Sequence, residues 1–133
     1  MKTTFVLLAA GISLAAAGCS TTTPAQEKQD ALTTAGFHKR VADTPAKVAS
    51  MNAMPSNSFV RQTQKGQTVY LYADPSGCNC IYYGTEDNYG LYQQARYQQR
   101  MTDMAARAPI VDDPIIFDYG FDYGPWGGPF FPY

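Results

Sequence analysis

Charge is scarce in this sequence, and neither sign dominates. Of 133 residues 16% are charged, ten Lys/Arg against eleven Asp/Glu, giving a formal net charge of −1. A nucleic-acid partner calls for a clustered basic face that neutralises phosphates, so none is expected. Histidine and tryptophan occur once each, as His38 and Trp126, and cysteine only at positions 19, 78 and 80. A lone histidine leaves tetrahedral zinc short of ligands, and in Phe37-His38-Lys39-Arg40 it reads as a solvated side chain. The chain lacks Gly-x-Ser-x-Gly, a phosphate-cradling glycine loop and His-Glu-x-x-His, and its carboxylates are scattered singly. No nucleophile or acid/base pair can be nominated, so the expectation is a non-enzyme with no cofactor and no resident metal. The length allows one small domain.

Long apolar runs are also rare. The single one, Phe5 to Ala17, follows Lys2 and ends in small residues before Cys19. Thirteen residues suit the apolar region of a signal peptide and fall short of the ~20 needed to span a bilayer. The segment Leu14-Ala15-Ala16-Ala17-Gly18-Cys19 resembles the lipobox of bacterial lipoproteins, with Ala16 at the position where that pattern most often has Leu. The resemblance implies that residues 1–18 are a cleaved signal peptide and that the Cys19 thiol carries a diacylglyceryl group, with a palmitate-type chain on its freed amine. Each buried CH₂ contributes about 0.8 kcal/mol, so two or three chains make a stable membrane anchor. Ser20 stands where an aspartate would signal inner-membrane retention. By the same resemblance the protein is lipid-anchored in the outer membrane and faces the periplasm.

The remaining chain divides by composition. Residues 19–23 read as a lipidated polar tether and 24–108 as a small globular domain. Thr23-Pro24-Ala25-Gln26 carries an N-cap, a proline at the first helical position and Gln for a capping box, with Gly36 as the stop. Thr44-Pro45 repeats the start, and Pro55 ends that helix. Phe59 to Thr63, Gln67 to Ala73 and Cys80 to Tyr83 read as strands, joined by Gln64-Lys65-Gly66 and by the turn Asp74-Pro75-Ser76-Gly77. In the middle strand Val69, Leu71 and Ala73 point one way, Thr68, Tyr70 and Tyr72 the other. A long helix follows from Glu86 to about Ala108, with Thr85 as N-cap and Leu91, Tyr92 and Ala95 as the face that meets the sheet. The expected fold is α+β: two short helices, a three-stranded antiparallel sheet and one long helix.

Residues 109–133 differ abruptly, with five prolines, four glycines, eight aromatics, four aspartates and no Lys or Arg. Phe117-Asp118-Tyr119-Gly120 repeats as Phe121-Asp122-Tyr123-Gly124. Proline and glycine at this density oppose regular structure, so the segment is expected to be a disordered aromatic C-terminal tail whose removal leaves the domain intact. Its rings, at Phe117, Tyr119, Phe121, Tyr123 and Trp126, are candidates for docking an envelope protein partner.

One pair remains with chemistry to offer. Cys78 and Cys80 in an extended strand would hold their Cβ atoms beyond disulfide reach, so bridging requires a turn at Asn79. The pair reads as a structural bridge or two buried thiols. A redox-active dithiol and metal binding stay open as alternatives. The stretch from Tyr72 to Gly84 is similar to a motif of small proteobacterial lipoproteins (Ala-Asp-Pro, a turn, Cys-x-Cys, then aromatic and glycine), and Ala31 to Pro45 resembles their earlier segment. That likeness implies location and supplies no activity. The functional expectation is a non-enzymatic adapter or structural lipoprotein of the cell envelope, the alternative a thiol-based redox or metal-handling protein.

Overall fold

The two Thr-Pro pairs start helices as the sequence predicts. In the computed structural model, which describes residues 21–106, 114–117 and 119–127, α1 spans Pro24–Thr34 and α2 spans Pro45–Asn52. Thr23 and Gln26 form a reciprocal capping box at the start of α1. The Thr44 side chain accepts from the Lys47 amide at the start of α2. Gly36, at φ +90°, lets the chain reverse after α1.

The class is α+β as expected, but the sheet has five strands rather than three. The predicted three appear as β2 (Phe59–Gln64), β3 (Gln67–Asp74) and β4 (Cys80–Thr85), an antiparallel meander. Lys65 and Gly66 both take positive φ in the β2–β3 hairpin, the twist a two-residue turn requires. The two unforeseen strands are numbered in chain order as β1 (His38–Val41), antiparallel to β4, and β5 (Ile115–Phe117), parallel to β2. The sheet order is β1-β4-β3-β2-β5. His38-Lys39-Arg40 reads as loop because it is short and cationic, and such residues are typical of a protected sheet edge. His38 is exposed there, its ring 5.3 Å from that of Tyr83.

Both faces of the sheet are covered, which is why the middle strand is apolar on both sides. On one face Tyr70, Tyr72, Phe59 and Tyr82 pack with Leu32 and Phe37 from the α1 region and with Tyr92 of α3 (Glu86–Ala106). Thr85 and Asn88 cap the start of α3, and the Asn88 amide donates to the Ala35 carbonyl at 3.0 Å, tying α3 to the end of α1. Gly84 is required here, because a Cβ would lie 2.8 Å from the Phe37 ring. The face of α3 that meets the sheet is Tyr89 and Tyr92, not Leu91 and Ala95, which are exposed. Aromatic area decides this: Tyr89 stacks on Tyr70 at 4.2 Å, and Tyr92 lies 5.2 Å from Phe59.

On the opposite face Val60, Val69, Leu71, Ala73 and Ile81 pack against Met51 and Met54 from the α2 region, and against Phe121 and Trp126. Those last two belong to the segment expected to be disordered. Across its described residues that expectation is corrected: the segment forms β5, a 3-10 turn at Gly124–Trp126 and part of the core. Its density of proline and glycine limits regular structure, yet α2 leaves much of this sheet face uncovered and the rings fill it. The expected tail portions 109–113 and 128–133 lie outside the described residues, as do residues 1–20 with Cys19.

Candidate functional site

The C-terminal segment is a strap that crosses the sheet from one edge to the other. It enters beside β2, where the Phe59 amide donates to the Pro114 carbonyl at 2.9 Å and Ile115 to Phe117 pair with Phe59 to Arg61. The Gln62 side chain then donates to the Tyr119 carbonyl and accepts from the Tyr123 hydroxyl, while the Tyr119 hydroxyl donates to the Ala53 carbonyl. Ser50 of α2 donates to the Asp122 carbonyl at 2.7 Å and accepts from the Trp126 indole at 3.0 Å. The strap ends over β1, where Arg40 donates to the Trp126 carbonyl at 2.9 Å. Gly127 closes the turn at φ +83°.

The contacts of Gln62, Ser50 and Arg40 to the strap carbonyls and of Ser50 to the indole answer groups that would otherwise go unpaired, at a cost of about 1–3 kcal/mol each where buried. Burial also holds the Tyr123 hydroxyl protonated, pushing its pKa up to about 12. Lys47 lies 5.6 Å over the Trp126 ring.

The five rings nominated for docking therefore divide. Phe121 and Trp126, at 8% and 4% exposure, are core side chains and are spent on the protein's own fold. Tyr119 and Tyr123 are half-buried and bonded to the domain. Phe117 alone stands out from the surface, at 61% exposure, with the Arg61 guanidinium 5.8 Å over its ring. The expectation of a disordered tail fails at these rings because the strap need not be regular to bury them. Sequence reasoning also missed the strap's receptors, Ser50 and Gln62. Their signal was present: Gln62 alternates with Val60 on one face of β2, and a polar residue on an apolar face needs a partner.

Cys78 and Cys80 form a disulfide with their Cα atoms 5.1 Å apart. The turn it requires is made by Asn79 at φ +50°. Asn79 is pinned from both sides, since its side chain donates to the Ala42 carbonyl at 3.0 Å and its own carbonyl accepts from the Ala42 amide at 2.9 Å. Asp74 stabilises the preceding turn, accepting from the Gly77 amide at 2.8 Å and from Gln29 of α1 at 3.0 Å. Cys80 is fully buried and Cys78 half-buried, packed against the core on the α1 and α3 face.

Near this turn, Tyr82 is buried against the α1 face and its hydroxyl pKa is raised, by burial first and then by the charges of Asp74 and Asp30. A hollow between α1 and the β3–β4 turn is lined by Lys28, Asn57, Tyr72 and Asp74. Lys28 there lies 5.3 Å over the Tyr72 ring. Among the described residues no group of three or more His, Cys, Asp or Glu is placed to hold a metal ion. None of the described helices is long and apolar enough to cross a membrane. Compared with protein-family models, curated proteins and solved structures, the chain gives no match.

Proposed function

We propose that this protein is a lipid-anchored cell-envelope protein, a non-enzymatic adapter or structural lipoprotein held in the outer membrane and facing the periplasm. The observation that carries the reading is the apolar run Phe5 to Ala17 ending in Leu14-Ala15-Ala16-Ala17-Gly18-Cys19, immediately ahead of a capped helix. Only Ser20 to Thr23 separate Cys19 from Pro24, and four extended residues reach roughly 14 Å. A lipidated Cys19 would therefore hold the start of α1 close to the headgroups and keep the domain near the membrane. Adapter or structural work suits a small domain whose buried polar groups serve the fold.

The test is Cys19→Ser followed by labelling with radioactive palmitate and membrane fractionation. A hydroxyl does not accept the lipid transfer, so the variant stays unprocessed, unlabelled and absent from the outer-membrane fraction. Labelling and sorting like the unaltered protein would overturn the reading.

One observation favours a second reading, thiol redox work, with metal handling by the reduced pair as its variant: Cys78 and Cys80, two residues apart, form a disulfide whose Cys78 is only half-buried. Replacing both cysteines by Ala separates the readings. A structural bridge predicts a lower melting temperature with any envelope phenotype preserved. A redox or metal role predicts loss of phenotype at unchanged stability and abundance.

A further inference from the structure

Helix α3 packs on the rest of the fold through its first half. Asn88 reaches the Ala35 carbonyl, and Tyr89 and Tyr92 meet the rings of the sheet, whereas none of residues 93–102 is buried. Turned away from the sheet are Gly90, Gln94, Tyr97 and Met101, spaced by four, three and four residues. That spacing places them within ~60° of arc on one face of the helix. All four are exposed, Tyr97 and Met101 at 53%, and Leu91 beside them is equally open. Glycine inside a helix weakens it, and the fold does not require one at position 90. Where a Cβ at Gly84 would strike the Phe37 ring, a Cβ at Gly90 would meet nothing within 4 Å.

We infer that this face of α3 pairs with the same face of a second copy of this chain, as two antiparallel helices about a two-fold axis. The spacing argues it first. Four, three and four read alike in both directions, so an antiparallel copy keeps the whole stripe in register. Gly90 then meets Met101 of the partner copy, Gln94 meets Tyr97, and each pair occurs twice, as a two-fold contact demands. The sizes argue it next. The long, adaptable Met101 side chain enters the space that Gly90 leaves, and the Gln94 amide faces the Tyr97 hydroxyl, its hydrogen-bonding match. A parallel copy would set Gly90 against Gly90 and Met101 against Met101, one layer empty and one crowded. It would also align the helix dipoles, which antiparallel helices oppose. Charge argues it last. Gly90, Leu91, Gln94, Tyr97, Gln98 and Met101 are uncharged, so the face does not repel its own like and offers no cation to an anionic headgroup. From Gly90 to Met101 is ~17 Å of helix, so the contact is small and the association reversible. This pairing goes beyond the lipoprotein reading and does not depend on it.

The experiment uses the full chain in cells. Two differently tagged copies are coexpressed, one with a photoreactive benzophenone analogue of phenylalanine at position 101. Irradiation is followed by recovery of the crosslinked peptides. The expected product joins position 101 of one copy to residues 89–91 of the other. Gly90→Gln in the second copy fills the space that position 101 enters and lowers the yield roughly fivefold or more at equal abundance. Gln is the better helix former, so the same variant melts no lower than the unaltered chain. Tyr97→Glu in both copies brings two carboxylates to the seam and lowers the yield as far; Trp126 fluorescence of the purified protein checks that its fold is kept. Crosslinks to 100–102 of the second copy, crosslinks within one chain or to other proteins alone, no crosslink, or yields unmoved by both variants would overturn the proposal. Because palmitate labelling reads the lipid anchor separately, failure here leaves that reading standing.

Discussion

Phe117-Asp118-Tyr119-Gly120 and Phe121-Asp122-Tyr123-Gly124 have the same sequence and opposite fates. Phe117 is 61% exposed on an edge strand, whereas Phe121 is 8% exposed in the core, its ring 6.3 Å from Trp126 and 4.8 Å from Tyr123. Nothing local distinguishes the two phenylalanines. Position along the strap decides, because four residues carry the chain from the edge of β2 to the open face beside α2. The polar partners follow the same division: Tyr119 reaches the Ala53 carbonyl at the end of α2, while Tyr123 reaches Gln62 within the sheet. Identical peptides thus become surface and core through tertiary contacts alone.

The largest test of that comparison removes both copies. Truncation after Ala108 strips β5, Phe121 and Trp126 from the core and leaves Ser50 and Gln62 without the partners described here. Losing two buried aromatics costs about 3–5 kcal/mol each, against a total stability of about 5–15 kcal/mol. The truncated domain is expected to be largely unfolded or strongly destabilised in a urea titration, where a dispensable tail would leave the midpoint unchanged.

Single substitutions then separate the copies. Phe121→Ser should cost about 3–5 kcal/mol, since it opens a cavity and places a hydroxyl beside apolar neighbours. Phe117→Ser should change unfolding free energy by no more than about 0.5 kcal/mol, as for other exposed sites. Equal effects at the two positions in parallel urea titrations would dissolve the distinction.

A third test is chemical. The Tyr123 hydroxyl, neutral in the fold up to about pH 12 against an ordinary value of 10, ionises more readily once the strap is released. Its contribution to stability is complete below pH 10 and is lost as pH rises from 10 towards 12. Thermal unfolding followed across that window should show Tyr123→Phe less sensitive to alkali than the unaltered chain. Identical alkaline profiles would mean that this hydroxyl is not held by the fold.

What could be read from the sequence was what nearest neighbours determine. Thr23-Pro24 and Thr44-Pro45 fix helix starts through caps that need only three residues. Lys65-Gly66 fixes a hairpin, and the alternation from Gln67 to Ala73 separates the two faces of β3 correctly. The need for a turn at Asn79 followed from disulfide reach alone and is met by its positive φ. Strands β1 and β5 could not be read this way, because four and three residues carry no period and each owes its conformation to a distant partner. On α3 the choice of Tyr89 over Leu91 depended on Tyr70 lying opposite, a contact between residues 19 apart in sequence. The strap was missed for a related reason: composition reports what a segment cannot form alone, and its order comes from Ser50, Gln62 and Arg40.

The central claim is that the strap is part of the folded domain, and Trp126, the only tryptophan in the chain, reports on it directly. Intrinsic fluorescence of the full chain, with iodide quenching, should show a blue-shifted and protected indole in the native state. The signal should move to that of exposed tryptophan in the same urea transition that abolishes the far-ultraviolet circular dichroism. A red-shifted, freely quenched indole in the native protein, or a fluorescence change well before the loss of secondary structure, would contradict the account.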